Sequence, residues 1–229
     1  MSRFILNLAV FLSFQILVCF VFYENGRFSL KNHPNDYLAS TLDKHARLDS
    51  LESPRLILVG GSNLAYGVNS GCLERELGIV TVNMAMHAGL GMDFILSDIE
   101  SKISSDDLVV LSLEYEFFLE DLAQSPSLWH ALRIAPHNIL GMGLGKMAWI
   151  TDNGLYPIRQ IVRHPFAGRP EMNELYSRDN VNQRGDIISR PEKYNTKIKA
   201  GTSVKPVKAA RRRALSRVAV FRERCHKRG

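Results

Sequence analysis

The feature that most restricts how this chain can fold is an alternation of strand-like and helix-like segments between Arg55 and Leu113. Arg55 to Gly61, RLILVGG, is a continuous apolar run closed by glycines, the pattern of a strand buried on both faces. Asn69 or Ser70 is placed to cap a short helix through Leu77, and Gly78 to end it. Ile79 to Met86, IVTVNMAM, reads as a second buried strand. Met92, Ile95, Leu96, Ile99 and Ile103 fall at helical spacing, and Asp107 to Leu113, DLVVLSL, reads as a third strand. Such an order implies a parallel sheet with right-handed crossovers, so the expected class is α/β in three layers.

The flanks divide the chain. Phe4 to Tyr23 is a run of 20 residues without a charge. A bilayer core about 30 Å thick takes roughly 20 apolar residues as helix. The run is longer than the apolar region of a signal peptide, about 7–15 residues. It therefore reads as one uncleaved N-terminal transmembrane helix, residues 1–23, with the following domain on the extracytoplasmic side. Residues 24–54 read as a polar stalk or a short leading helix, and 55–229 as the α/β domain. Within that domain, Leu128 to Ile134 and Ile139 to Val162 are apolar but broken by glycines and Pro157, and are expected to cover one end of the sheet. Asn180 to Ser189 has the composition of a surface loop.

Charge argues against nucleic acid as a partner. The net charge is +6, but residues 190–229 hold 14 basic and 2 acidic residues, a net of +12, which leaves −6 on residues 1–189. A phosphate-gripping body carries its positive charge on the folded domain. Here the surplus lies on a terminal segment where Val207, Ala214, Val218, Phe221 and Cys225 recur at helical spacing, with arginines expected on the outer face. In an alternating α/β chain such a helix should deliver another strand, and none follows. The expectation is an incomplete domain that lacks its C-terminal part. Three cysteines without close spacing form neither a disulfide scaffold nor a zinc site, and no cofactor or metal is expected.

Ligands of open α/β sheets lie beyond the carboxyl ends of the strands. Three polar clusters fall there: Gly60-Gly61-Ser62-Asn63 after the first strand, Asn83 with His87-Ala88-Gly89-Leu90-Gly91 after the second, and Glu114-Tyr115-Glu116 after the third. Singly, these are a common turn, a structural histidine and solvated carboxylates. Nucleotide binding lacks a motif, since there is no G-x-x-x-x-G-K-[ST] and Phe94 stands where the Rossmann pattern wants glycine or alanine.

In their order and spacing, the clusters resemble the SGNH (GDSL-like) hydrolase superfamily over roughly Arg55 to Phe118, with a flavodoxin-like sheet. The resemblance implies Ser62 as nucleophile and Gly89, or less well Gly91, as a backbone oxyanion donor, with Asn63, His87, Gly91 and Glu114 lining the site. With the N-terminal run, it also resembles membrane-anchored members acting on cell-surface polysaccharides. The implied function is an esterase or O-acyltransferase acting on an acylated small molecule or glycan. Two departures stand out. The third block offers Glu114 where the family has an asparagine, and an ionised glutamate accepts hydrogen bonds without donating. None of the seven histidines has an aspartate three positions earlier, so the family's Asp-x-x-His base is missing from these residues. The alternative expectation is therefore a catalytically inactive relative that serves in binding or assembly.

Overall fold

At the centre of the fold is β1, Arg55–Gly60, buried along its whole length. The computed structural model describes residues 3–15, 17, 20, 37–119, 177–188 and 212–228. β1 pairs in parallel with β2, Val80–Asn83, on one side and with β3, Leu108–Ser112, on the other, giving the order β2-β1-β3. Leu58 sits opposite Asn83, and Gly60 opposite Ser112, so the three polar clusters end at one edge of the sheet. The α/β class and the parallel sheet agree with the sequence pattern. β3 is less buried than its composition suggests: Leu108 is 54% and Val110 40% exposed. It is an edge strand among the described residues, with a neighbour on one side only.

The short helix after β1 is α2, Ser62–Gly67, and α3, Ser70–Leu77, follows. α3 starts where the Asn69 side chain accepts from the Cys72 N–H at 2.9 Å. It stops where Gly78 turns left-handed at φ 66°, a conformation that glycine adopts without a Cβ penalty. α4, Met92–Glu100, carries the crossover from β2 to β3 and buries Phe94, Ile95, Leu96 and Ile99. β2 and β3 flank β1 on opposite sides, so right-handed crossovers put α3 and α4 on opposite faces of the sheet.

Of the stretch read as a stalk or leading helix, residues 37–49 are packed on the domain. A 3-10 turn, Tyr37–Ala39, leads into α1, Ser40–Asp49, whose Thr41, Lys44 and Leu48 are buried. Residues 24–36 lie outside the described residues, as do the expected cover segments 128–134 and 139–162. The basic segment forms α5, Arg212–Arg228, with Ala214 and Phe221 buried and Val218 and Cys225 packed against the core. Two of its arginines pair with α4, Arg217 half-buried against it and Arg224 exposed as expected. Arg217 binds Asp93 at 2.8 Å and Arg224 binds Glu100 at 3.1 Å. The partners advance by one heptad on both helices, so α4 and α5 run parallel, the relation that successive crossover helices have in a parallel sheet.

The expected surface loop at 180–189 is instead partly core. Gly185, Asp186 and Ile187 are buried. The reason is backbone pairing: the Asn83 N–H donates to the Arg184 carbonyl at 2.7 Å, and the Ile187 N–H to the Ala65 carbonyl at 2.8 Å. The segment satisfies groups that the ends of β2 and α2 would otherwise leave unpaired. Among the described residues no helix is long and apolar enough to cross a membrane. The run Phe4 to Tyr23 falls partly outside them; residues 3–15 are helical, with Phe4, Phe11 and Phe14 exposed.

The opposite edge of the sheet is closed by a buried ion pair. Arg55 binds Asp107 at 2.5 Å, with side chains 5% and 0% exposed. The guanidinium also donates to the carbonyls of Leu48 and Lys102, so the starts of β1 and β3 are tied to the ends of α1 and α4. Burial pushes the Asp107 carboxyl up, but hydrogen bonds from Arg55, the Ser104 N–H and Ser53 outweigh it and hold the group below its usual value. A depressed carboxylate contributes stability above its unfolded value, near 3.9, and loses it as pH falls through the folded one. Asp107→Asn should therefore lower unfolding free energy at pH 7 by about 3–5 kcal/mol, because it strands the buried Arg55. Chemical denaturation measures this, and the gap between native and variant should shrink on going to pH 3.

Candidate functional site

The order β2-β1-β3 makes the carboxyl end of β1 the point where the chain's crossovers diverge, the usual ligand position of an open α/β sheet. Ser62 stands there, as the first residue of α2 and half-buried, with Asn63 exposed beside it. The two preceding glycines are required by close approach, since the conformation of Gly61 (φ −97°) is ordinary. A Cβ on Gly60 would lie 2.1 Å from the Ser112 carbonyl oxygen, and one on Gly61 2.1 Å from Glu114 Oε1. GGSN is thus glycine-rich because β3 and the residue after it press against the end of β1.

Glu114 is the group that presses. Its Oε1 accepts the Asn63 N–H at 3.3 Å, and its Oε2 is buried with no hydrogen-bond partner. The Asn63 side chain turns to β3, donating to Ser112 Oγ at 3.2 Å. A carboxylate therefore lies where the resemblance calls for an amide donor. It also acts on His87: burial pushes the imidazole below its ordinary value, and the Glu114 charge opposes that. Glu114, His87 and the Ser62–Asn63 turn thus belong to one neighbourhood, although they come from three different strand ends.

The loop after β2 spends its donors internally. His87 Nδ1 accepts the Gly89 N–H at 2.9 Å, so the neutral ring carries its proton on Nε2. Gly89, expected as an oxyanion donor, is already engaged in this arrangement. Gly91 has a backbone reason to be glycine: its φ is 81°, where side chains are strained, and its N–H donates to the Ala88 carbonyl at 2.9 Å. Among the described residues, nothing hydrogen-bonds the Ser62 hydroxyl, and no group of His, Cys, Asp and Glu side chains is placed to hold a metal. A His–Asp contact away from these strand ends, His45 to Asp98 at 2.8 Å, joins α1 to α4.

Beneath this loop runs a buried polar chain that sequence reading missed. Lys44 donates its Nζ to the Ala85 carbonyl. The Ala85 N–H donates to Asn83 Oδ1 at 3.0 Å, and Asn83 Nδ2 donates to Asp186 Oδ1 at 2.9 Å. Asp186 also accepts from the Ser70 hydroxyl at 2.5 Å and the Ser70 N–H at 2.9 Å. Lys44, Ser70, Asn83 and Asp186 are all buried. Part of this was signalled: Tyr37, Thr41, Lys44 and Leu48 share one helical stripe, which places Lys44 on the inner face. Ile187-Ile188 is likewise an apolar pair at the end of an otherwise polar turn. A groove of about 510 Å³ lies elsewhere, between β3 and α5, lined by Leu108, Val109, Phe221, Arg222 and Cys225 among others.

Two outcomes test the geometry. Gly60→Ala meets backbone and should destabilise by about 1–3 kcal/mol. Gly61→Ala meets only the end of the Glu114 side chain, and should move the carboxylate with a much smaller loss in denaturation midpoint. Glu114→Gln removes the charge that supports the His87 proton, so the His87 titration followed by NMR should shift to lower pH. An unmoved titration would show that the two groups do not face each other.

Compared with protein-family models, curated proteins and solved structures, the chain matches none of them.

Proposed function

We propose that this domain is an SGNH-type, ester-directed unit: a serine esterase or O-acyltransferase with Ser62 as nucleophile, acting on an acylated small molecule or surface glycan. Residues 4–23 are proposed as its membrane anchor, holding the domain on the extracytoplasmic side. One observation carries the reading. Ser62 occupies the switch point of a parallel β2-β1-β3 sheet, at the end of β1, with the Asn83–His87 and Glu114 strand ends converging beside it. A serine there presents its hydroxyl to a ligand above the strand ends, and its backbone N–H is placed to meet the developing oxyanion. One such donor is typically worth about 2.7–4 kcal/mol of barrier. Attack forms the bond from Ser62 Oγ to the acyl carbon and breaks the ester C–O bond, the serine proton leaving with the departing alcohol; water or a glycan hydroxyl then takes the acyl group and its proton returns to Ser62 Oγ.

A second reading has its own support. A serine needs a base, and none contacts Ser62 Oγ among the described residues. The Gly89 N–H is bonded to His87 and the Asn63 N–H to Glu114. A domain arranged this way would bind a ligand without turning it over.

A fluorophosphonate probe separates the two. The esterase reading expects labelling of the full chain that is lost in Ser62→Ala and unaffected in Ser101→Ala, a serine at the end of α4. Ester or glycan binding without any labelling at Ser62 would favour the second reading and overturn the first.

A further inference from the structure

α1 brings one cation into the core, and its position bears on the site. Lys44 is 2% exposed. Its amine has three hydrogens when charged, and among the described residues its one hydrogen bond goes to the carbonyl of Ala85, two residues before His87. The same helix makes a second contact with that loop, from the Thr41 hydroxyl to Met86 Sδ at 3.3 Å. The loop is also held by backbone bonds to β1, Met84 N–H to Leu58 and Met86 N–H to Gly60, by the Asn83 side chain, and by the burial of Met84, Met86 and Leu90 in the core. What holds Ala85 therefore places His87 and the Gly89 N–H.

We propose that Lys44 is a positioning residue of the candidate site: it locks the His87–Gly89 loop through the Ala85 carbonyl, and taking up a proton is coupled to opening of that lock. The physical basis is desolvation. A buried ammonium with a single neutral acceptor is far less favourable than a hydrated one. Burial accordingly lowers Lys44 to about 7, and Asp186 opposes the shift. The ionisable groups on the surrounding elements are few. β2 brings none, and the turn beyond it brings Asp186 together with Arg184, which is bound by Glu74. The loop brings His87; on α1 itself His45 is bonded to Asp98, Asp43 is held by Arg178, and Arg47 acts on Glu74. Asp186 is the one whose charge reaches the amine.

The sign follows from linkage. An opening that hydrates Lys44 restores its ordinary proton affinity, so the open form binds more protons than the closed form between pH 7 and 10.5. The closed loop should then gain protection as pH rises above 7, by up to about tenfold per pH unit for one coupled proton. His87, whose titration burial moves below its ordinary value, adds slope of the same sign only near the lower end of that window, and Lys44 alone acts at its upper end.

The inference deepens the reading of 62, 87 and 89 as one site, but its test needs no turnover. Hydrogen–deuterium exchange of residues 84–91 is followed in the detergent-solubilised full chain from pH 7 to 9 and corrected for intrinsic rates. Native protein should show rising protection, Lys44→Met a flat profile, and Asp186→Asn a rise that begins at lower pH. A flat or falling native profile, or a slope retained in Lys44→Met, overturns the proposal. Should a variant fail to fold, the native slope decides it. Absence of Ser62 labelling together with the expected slopes would remove the esterase reading and leave the lock standing.

Discussion

The rest of the structure depends on how one strand end, that of β2, is held. Asn83 is buried, and its N–H and side chain are fully engaged: the N–H goes to Arg184, the side-chain oxygen takes Ala85, and the amide donates to Leu64 and Asp186. Through these bonds a lysine from α1 and an aspartate from a distant turn are joined across the sheet. Each is a charge the core would reject alone; joined through neutral amides they share one field without touching. A network of this kind tolerates little change, since removing any member leaves another buried and unsatisfied.

The other edge of the sheet obeys the same rule with a direct pair. Arg55 and Asp107 close the amino ends of β1 and β3, and groups from five further residues, Leu48, Leu51, Ser53, Lys102 and Ser104, converge on them. Between these two polar clamps the sheet is apolar, with Ile57 and Val59 of β1 fully buried. At the amino edge both carboxylate oxygens of Asp107 are hydrogen-bonded. At the carboxyl edge, by contrast, Glu114 keeps an unpartnered oxygen and, among the described residues, the Ser62 hydroxyl is unengaged.

That contrast bears on function. In this arrangement the Gly-Gly-Ser-Asn turn takes up Glu114, a residue of the same chain. A carboxylate against the Asn63 N–H is favourable as a resting contact, and is the opposite of what a developing oxyanion needs. Under the proposed esterase function, this side chain would have to be displaced and a base supplied to Ser62.

The sequence by itself determined the sheet. The apolar runs at 55–61, 79–86 and 107–113, the Asn69 cap and the Gly78 stop are local signals, and the three strands, α3 and α4 lie within their expected bounds, whereas the turn at Ser62 continues into a helix, α2, that the pattern did not mark. It also marked Ser62, His87 and Glu114, because polar residues right after buried strands must fall at one edge. Tertiary structure alone decided the partners. Gly61 is glycine because Glu114 lies against it, Gly89 donates to His87, and Asp186 enters the core from a segment more than a hundred residues beyond Ser70. None of these pairings has a local signature. Propensity and periodicity report on residues that are neighbours along the chain, whereas a buried polar atom takes whichever partner the packed sheet brings within reach.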